Sequence, residues 1–295
     1  MAIWECAFFT VNRQPSTVKR QQKNMLLLID TSQETGTTAL CKGGEILFSE
    51  ENKITKEHAS WLHLAIGRIL SEAKITVKDL EAVAVVSGPG SYTGLRVGMA
   101  AAKGFCYALK IPLITQNTLR VMAESMISFA IEKQALICPM IDARRDEVFT
   151  ALYQVAPVNG QRSTVNENTS TANPAFASRH RRDGGQSRQP PTANQLPAVN
   201  GQRSTVNELI EVKMPQAMIL DKTAFETELA VNPIIFFGTG AEKWKKITNS
   251  PHAPFQPQPD LIQAFAKLAQ QDFDSGTWAD PVYAEPVYLK EFFSY

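Results

Sequence analysis

Three short stretches carry residue types suited to chemistry. "LLLID" and "ICPMID" are apolar runs that each end on a carboxylate, Asp30 and Asp142, and "SGPGSYTGLRVG" (87–98) places Gly88, Gly90, Gly94 and Gly98 around Pro89. Two aspartates facing one cleft can position a metal-bound nucleotide; each can equally close its own turn. The glycines permit positive φ and close backbone approach, Ser91 or Thr93 can cap the following helix, and free N–H groups at a helix start can hold an anion. Yet the spacing is neither GxGxxG nor GxxxxGK[ST], and no lysine stands where it would reach a phosphate. A tight strand-to-helix turn and a phosphate cradle both stay open. With the "GTG" of Gly238 to Gly240, a nucleotide or phosphate site, vestigial or working, would draw on Asp30, Gly88, Gly90, Ser91, Asp142, Gly238 and Gly240.

Other chemistries find little support. His58 and His63 are five apart, which turns them off a common helix face, and His180 and His252 stand alone, so no metal site is expected. No GxSxG elbow appears. Cys6, Cys41, Cys106 and Cys138 show no CxxC pairing and read as small buried hydrophobes in a reducing compartment, the cytoplasm. A net charge of +1 lays down no broad footprint for nucleic acid. No apolar run approaches the roughly 20 residues of a membrane-spanning helix.

The elements that must position these residues alternate. "LLLID" and "TTALCKGGEILFSEE" read as a three-stranded antiparallel meander with a turn at Lys42-Gly43-Gly44. "EHASWLHLAIGRILSEAK" carries Leu62, Ile66, Ile69 and Ala73 at helical spacing, "LEAVAVVS" is a buried strand, and a helix runs from about Thr93 to Leu109. Then follow a strand ("IPLITQNT"), a helix ("LRVMAESMISFAIE"), strands on either side of "DARRD", a helix ("DKTAFETELA"), a strand and glycine turn ("PIIFFGTGAEKW") and a last helix ("PDLIQAFAKLAQ"). This is an α/β pattern. Laid against itself at an offset of 112, the chain matches Ile29 and Asp30 to Ile141 and Asp142, and Thr38-Ala39-Leu40 to Thr150-Ala151-Leu152. Either chance or two lobes with one opening explains it. The expected division is a lobe at 25–120 and another at 121–295.

The 93–109 helix has two apolar faces. Leu95, Met99, Ala102 and Leu109 suit a core, whereas Val97, Ala101, Gly104 and Ala108 are mostly small and admit a second helix at close range. Together with Trp61 and Ala65 on the preceding helix they form a candidate partner interface; burial within the chain is the alternative.

Two segments read differently. Residues 1–24 join an aromatic patch to a polar, basic stretch, expected to be a disordered extension ahead of a functional start at Met25. Residues 156–208 are rich in Asn, Gln, Ser, Thr and Arg and contain "VNGQRSTVNE" twice, at 158–167 and 199–208. Such composition cannot offset its conformational entropy, so a disordered insertion at a hairpin tip is expected, with an RNA-binding arm the sharper alternative.

In order, "LLLIDTS", "KEHASWLHLAI", "SGPGSYTGLRVGMAAAKGFCYAL", "MIDARRDEVF", "FFGTGAE" and "AEPVYLK" resemble the bacterial TsaB (YeaZ) family of tRNA threonylcarbamoyladenosine biosynthesis. The resemblance implies a two-lobed actin-like, Hsp70-like ATPase fold with ribonuclease H-like lobes. It implies an accessory subunit without catalytic residues that supports a TsaD-type transferase acting on the adenosine beside the anticodon of tRNAs reading ANN codons. It also implies a TsaE-type P-loop ATPase as partner, ATP and a divalent metal held by partner subunits only, tRNA reached through the complex, and a homodimer in the partner's absence. TsaD-type chains hold metal through a histidine pair after their glycine turn; here "IPLITQNTLRVMAE" has none. The competing expectation is an independent kinase or glycoprotease-like hydrolase of the same fold using Asp30, Asp142 and the GTG turn.

Overall fold

The computed structural model describes residues 25–54, 57–158 and 206–290. The first sheet takes β1 (Met25–Asp30), β2 (Gly36–Lys42), β3 (Glu45–Asn52), β4 (Ala82–Gly88) and β5 (Leu113–Asn117) in the order β3-β2-β1-β4-β5. The first three are the antiparallel meander, whereas β4 runs parallel to β1 and β5 parallel to β4. A central strand buried on both faces needs a continuous apolar run, and Leu26 to Ile29 supply it.

Leu27 and Ile29 point with Leu40, Val83 and Val85 into a core closed by α1 (His58–Glu72) and α2 (Tyr92–Leu109). On the opposite face, Leu26, Leu28, Ala39, Ala82 and Ala84 meet Phe265, Ala266, Leu268 and Ala269 of α7 (Ile262–Ser275). The helix that completes this layer therefore comes from the far end of the chain.

The second sheet is ordered β8-β7-β6-β9, from β6 (Leu136–Asp142), β7 (Glu147–Val158), β8 (Val206–Ile219) and β9 (Ile234–Phe237). One face packs on α3 (Thr118–Glu124) and α4 (Ile127–Lys133), the other on Phe225, α5 (Glu226–Leu229) and Trp244 of α6 (Ala241–Lys245). The two sheets share one plan: a first strand, an antiparallel return and a parallel strand closed by a positive-φ glycine, Gly88 (φ +123) at the end of β4 or Gly238 (φ +96) just after β9. Even a buried polar contact repeats: Thr38 Oγ1 donates to Leu28 O (3.0 Å) and Thr150 Oγ1 to Pro139 O (2.9 Å). The match at offset 112 is thus structural, and the two-lobed α/β architecture stands.

Some expectations need correction. The single helix over 119–132 is two, because Ser125 turns its hydroxyl back to Met122 O (2.6 Å) and Met126 leaves helical geometry before α4 begins. The helix over 221–230 shrinks to the four residues of α5, after a turn held by Asp221 accepting from Thr223 N–H (2.9 Å). The 156–208 insertion is narrower than its composition implied: Ala156–Val158 and Val206–Glu208 pair as strand, closing on Val158↔Val206. Its hairpin-tip placement holds; residues 159–205 and the 1–24 extension lie outside the described residues.

Cys41, Cys106 and Cys138 are buried and unpaired, and burial pushes their thiols up to about 12, 11 and 12. Cys6 lies outside the described residues. His58 is buried and its Nε2 meets Gln33 O at 3.1 Å. Among the described residues no helix is long and apolar enough to cross a membrane.

Candidate functional site

The glycine-rich turn between β4 and α2 is filled by the chain itself. Ser91 N–H donates to Ser32 O (2.6 Å), Thr31 Oγ1 donates to Gly94 O (2.7 Å), and Ser91 caps α2 by accepting from Gly94 N–H (3.3 Å). A Cβ on Gly90 would lie 2.2 Å from Ser32 O, and one on Gly94 2.0 Å from Thr31 O. From the other side Val287 presses on Gly88, with its carbonyl oxygen 2.6 Å from a Cβ there. The glycines let the turn after β1 and a distant stretch of backbone close on the α2 start together.

Asp30 ends β1 at the edge of a cleft of about 540 Å³ between the sheets, lined also by Gln33, Glu34, Glu51, Lys53, Thr239 and Asp260. Its Oδ1 accepts from Ser32 N–H (2.9 Å) and Ser32 Oγ (2.6 Å); burial nevertheless raises its pKa, outweighing these bonds. Asp142 is not among the lining residues, although Thr239, which is, accepts from its N–H (3.1 Å). Its carboxylate belongs to Lys243, whose Nζ also donates to Arg145 O (2.5 Å) and Glu147 O (3.1 Å). Burial opposes ionisation, but Lys243 at 2.7 Å and the Arg144 N–H at 2.6 Å hold Asp142 below the usual carboxylate value. The two aspartates thus differ: one is desolvated at the cleft, the other neutralised beside it. Gly238 and Gly240 bring the β9 turn against Met140 and Ile141, as Gly90 and Gly94 do in the first lobe. Among the described residues, a polyphosphate in the cleft would meet the carboxylates of Asp30, Glu34, Glu51 and Asp260 against the single ammonium of Lys53. Of the residues expected to form a nucleotide site only Asp30 lines the cleft, and the charge of that lining does not favour an uncompensated polyphosphate.

One patch of exposed apolar surface lies on α1 and α2, packed side by side; another runs along β8 at Ile210, Val212, Met214 and Ile219. Of the expected interface residues, Ala65 (0% exposed) and Ala101 (6%) are buried within the chain itself, where their small size lets α1 and α2 approach each other. Trp61 and Val97 are half-buried against the lobe's core, and Trp61 Nε1 donates to Glu50 Oε1 (3.0 Å), which also binds Arg68. His63 stacks on Phe105 across the seam (6.2 Å). Gly104 and Ala108 do face outward, and beside them stand residues the sequence reading missed: Leu64 (64% exposed), Gly67, Ala100 and Tyr107 (83%). Their signal was present in the helical spacing of Ala100, Gly104 and Tyr107, and a Cβ on Gly67 or Gly104 would meet nothing within 4 Å. Large apolar groups here stand beside open small-residue positions on one exposed face.

A family model described as TsaD, tRNA N6-adenosine threonylcarbamoyltransferase, matches residues 47–275. The tRNA threonylcarbamoyladenosine biosynthesis protein TsaB of Bacillus subtilis is 34% identical over 129 residues, 44% of this chain and 55% of that protein. Its Escherichia coli counterpart is 32% identical over 129 residues, 44% and 54%. The chain thus spans about half the length of the curated relatives it matches. Two solved structures from Pseudomonas aeruginosa share the fold. An uncharacterized protein with similarity to peptidase YEAZ has a TM-score of 0.63 at 22% identity, and YeaZ has 0.59 at 21%; each alignment covers 90% of this chain and all of the other.

Proposed function

Since the chain belongs to the TsaD family of tRNA N6-adenosine threonylcarbamoyltransferases, we propose that it acts in tRNA threonylcarbamoyladenosine synthesis as a TsaB-type accessory subunit and not as the transferase. It binds a TsaD-type catalytic subunit through the outer face of α1 and α2. That subunit transfers threonylcarbamoyl to the adenosine beside the anticodon of tRNAs reading ANN codons, in the cytoplasm. ATP and the divalent metal are carried by the TsaD-type subunit and a TsaE-type ATPase, and tRNA is reached through the assembly. Without partner, the same face pairs two copies of this chain.

The observation that carries the reading is the pairing of an α1–α2 face, exposed, apolar and small, with a glycine turn already occupied by Thr31, Ser32 and Val287. An open face on α1 and α2 beside a closed glycine turn supports docking over phosphate chemistry.

Ala108→Arg tests this. The position is exposed, so folding should survive, while an arginine in a helix–helix contact should abolish binding to the purified TsaD-type subunit in calorimetric titration and stop modification of tRNA by the reconstituted set. Unchanged binding by a folded variant would refute the docking face. ATP hydrolysis by the pure chain, lost in Asp30→Asn, would instead favour the independent enzyme.

A further inference from the structure

The chain beyond α7 is anchored along its length. Ala279 N–H donates to Leu113 O (2.8 Å), Lys103 Nζ to Ala284 O (2.9 Å) and Val282 O (3.3 Å), and Val287 N–H to Ser87 O (2.7 Å). Tyr288 meets Tyr92 at 5.1 Å between ring centroids and its hydroxyl accepts from Arg96 Nε (3.1 Å); Lys290 pairs with Glu147 on β7. Successive anchors step from Lys103 back to Arg96 and Tyr92, so the tail runs along α2 from its C-terminal towards its N-terminal end.

The tail is held by backbone and polar groups, yet it leaves Val282 (69% exposed) and Tyr283 (80%) facing solvent. A loose tail with exposed apolar groups would need no explanation. A tail pinned at five places with Val282 and Tyr283 still turned outward does. At about 3.6 residues per turn, Tyr92, Arg96 and Lys103 mark one flank of α2, Ala100 and Tyr107 the next strip, and Gly104 and Ala108 the one beyond. Phe105 and His63 mark the opposite border, with α1. The tail, the outward strip of α2 and α1 are therefore three adjacent ridges of one surface.

A stable interface of standard size takes about 20–30 residues and about 800 Å² a side. The α1–α2 face offers Leu64, Gly67, Ala100, Gly104, Tyr107 and Ala108, most of them too small to bury much. The third ridge adds Tyr283 and Val282 beside the strip that carries Tyr107.

We propose that Val282 and Tyr283 belong to the docking face, so that the catalytic-type subunit seats against the anchored tail as well as against α1 and α2. This rests on the reading of α1–α2 as the docking face, and the experiment separates the two. Full-length chain carrying Val282→Ser with Tyr283→Ser is titrated against purified TsaD-type subunit, beside wild type and Ala108→Arg, with melting midpoints recorded. The double variant should bind at least tenfold more weakly with an unchanged midpoint, and partner should slow hydrogen exchange of amides at 279–288. Wild-type affinity in the double variant, with Ala108→Arg inactive, overturns the tail's role and leaves the helical face standing. Wild-type affinity in both overturns both. Weakened self-association in sedimentation, with partner affinity intact, assigns the tail to the homodimer and also overturns the proposal.

Discussion

Replacing Gly94 by alanine sets two tendencies against each other. Alanine is favoured over glycine within a helix by at most about 1 kcal/mol. At Gly94 the new Cβ would stand 2.0 Å from the Thr31 carbonyl oxygen and 3.3 Å from Ser91 Cβ, whereas ordinary contact begins near 3.4 Å. The obstacle is backbone, in a turn fixed by the bonds from Ser32 to Asp30, so α2 must retreat by roughly 1 Å or more. Overpacking of this kind costs about 1–3 kcal/mol. The retreat also strains Thr31 Oγ1–Gly94 O and Ser91 N–Ser32 O, each worth about 1 kcal/mol. Net of the helical gain, about 2–3 kcal/mol is lost; at about 2–4 °C per kcal/mol, the midpoint should fall by about 4–12 °C. Gly104 on the same helix is the control: its Cβ would meet nothing within 4 Å, so alanine there should raise the midpoint by about 2–4 °C. Thermal melts followed by circular dichroism read both. A Gly94→Ala protein melting at or above wild type would refute the close-packing account of the turn.

The two aspartates predict opposite pH behaviour. Burial raises Asp30 above its unfolded value, so its charged form destabilises the fold at neutral pH; Asp30→Asn, which keeps an acceptor for Ser32, should raise the midpoint there, with the advantage shrinking as pH falls into the carboxylate range. Asp142 is held below its unfolded value, so its contribution exists above that value and is lost as pH falls through the lowered one. Asp142→Asn should therefore lower the neutral-pH midpoint, by about 1 kcal/mol or less for so exposed a pair, and be silent in acid. Melts across pH 3–8, at intervals of about one unit, distinguish these slopes. Deleting residues 168–208 should leave the midpoint unchanged. The remaining copy of the repeat still sets Val165, Asn166 and Glu167 opposite Val158, Pro157 and Ala156, the residue types now paired through Val206, Asn207 and Glu208; loss of soluble protein would contradict this.

What the sequence disclosed and what it withheld divides along range of interaction. Strands, helices and the doubled opening were legible because period and turn residues act over a few positions: Leu62, Ile66 and Ile69 line one side of α1 wherever that side packs. The docking of α7 was not, because Phe265, Leu268 and Ala269 declare a buried face without naming what buries it. For the same reason Ala65 and Ala101 read as partner-facing, since a small residue between two helices looks alike whether the second helix is the chain's own or another's. The occupant of the glycine turn was hidden too: Val287 reaches Ser87 from 200 residues away. The break after Ser125 was missed because the apolar period continues through it, while the local bond to Met122 O and the non-helical backbone of Met126 leave no mark on that period.

The return of α7 to the first sheet bears on how the chain is made. Leu26, Leu28, Ala82 and Ala84 are synthesised early, but Phe265, Leu268 and Ala269, which cover them, leave the ribosome only after the whole second sheet has followed. At about 5–20 residues per second, the interval between β5 and the end of α7 is on the order of ten seconds. If the first sheet pairs before α7 is made, one of its apolar faces stands open for that time. Partial chains ending before Ile262 should therefore be ready clients for chaperones, and the last helix acts as the release step of biosynthesis.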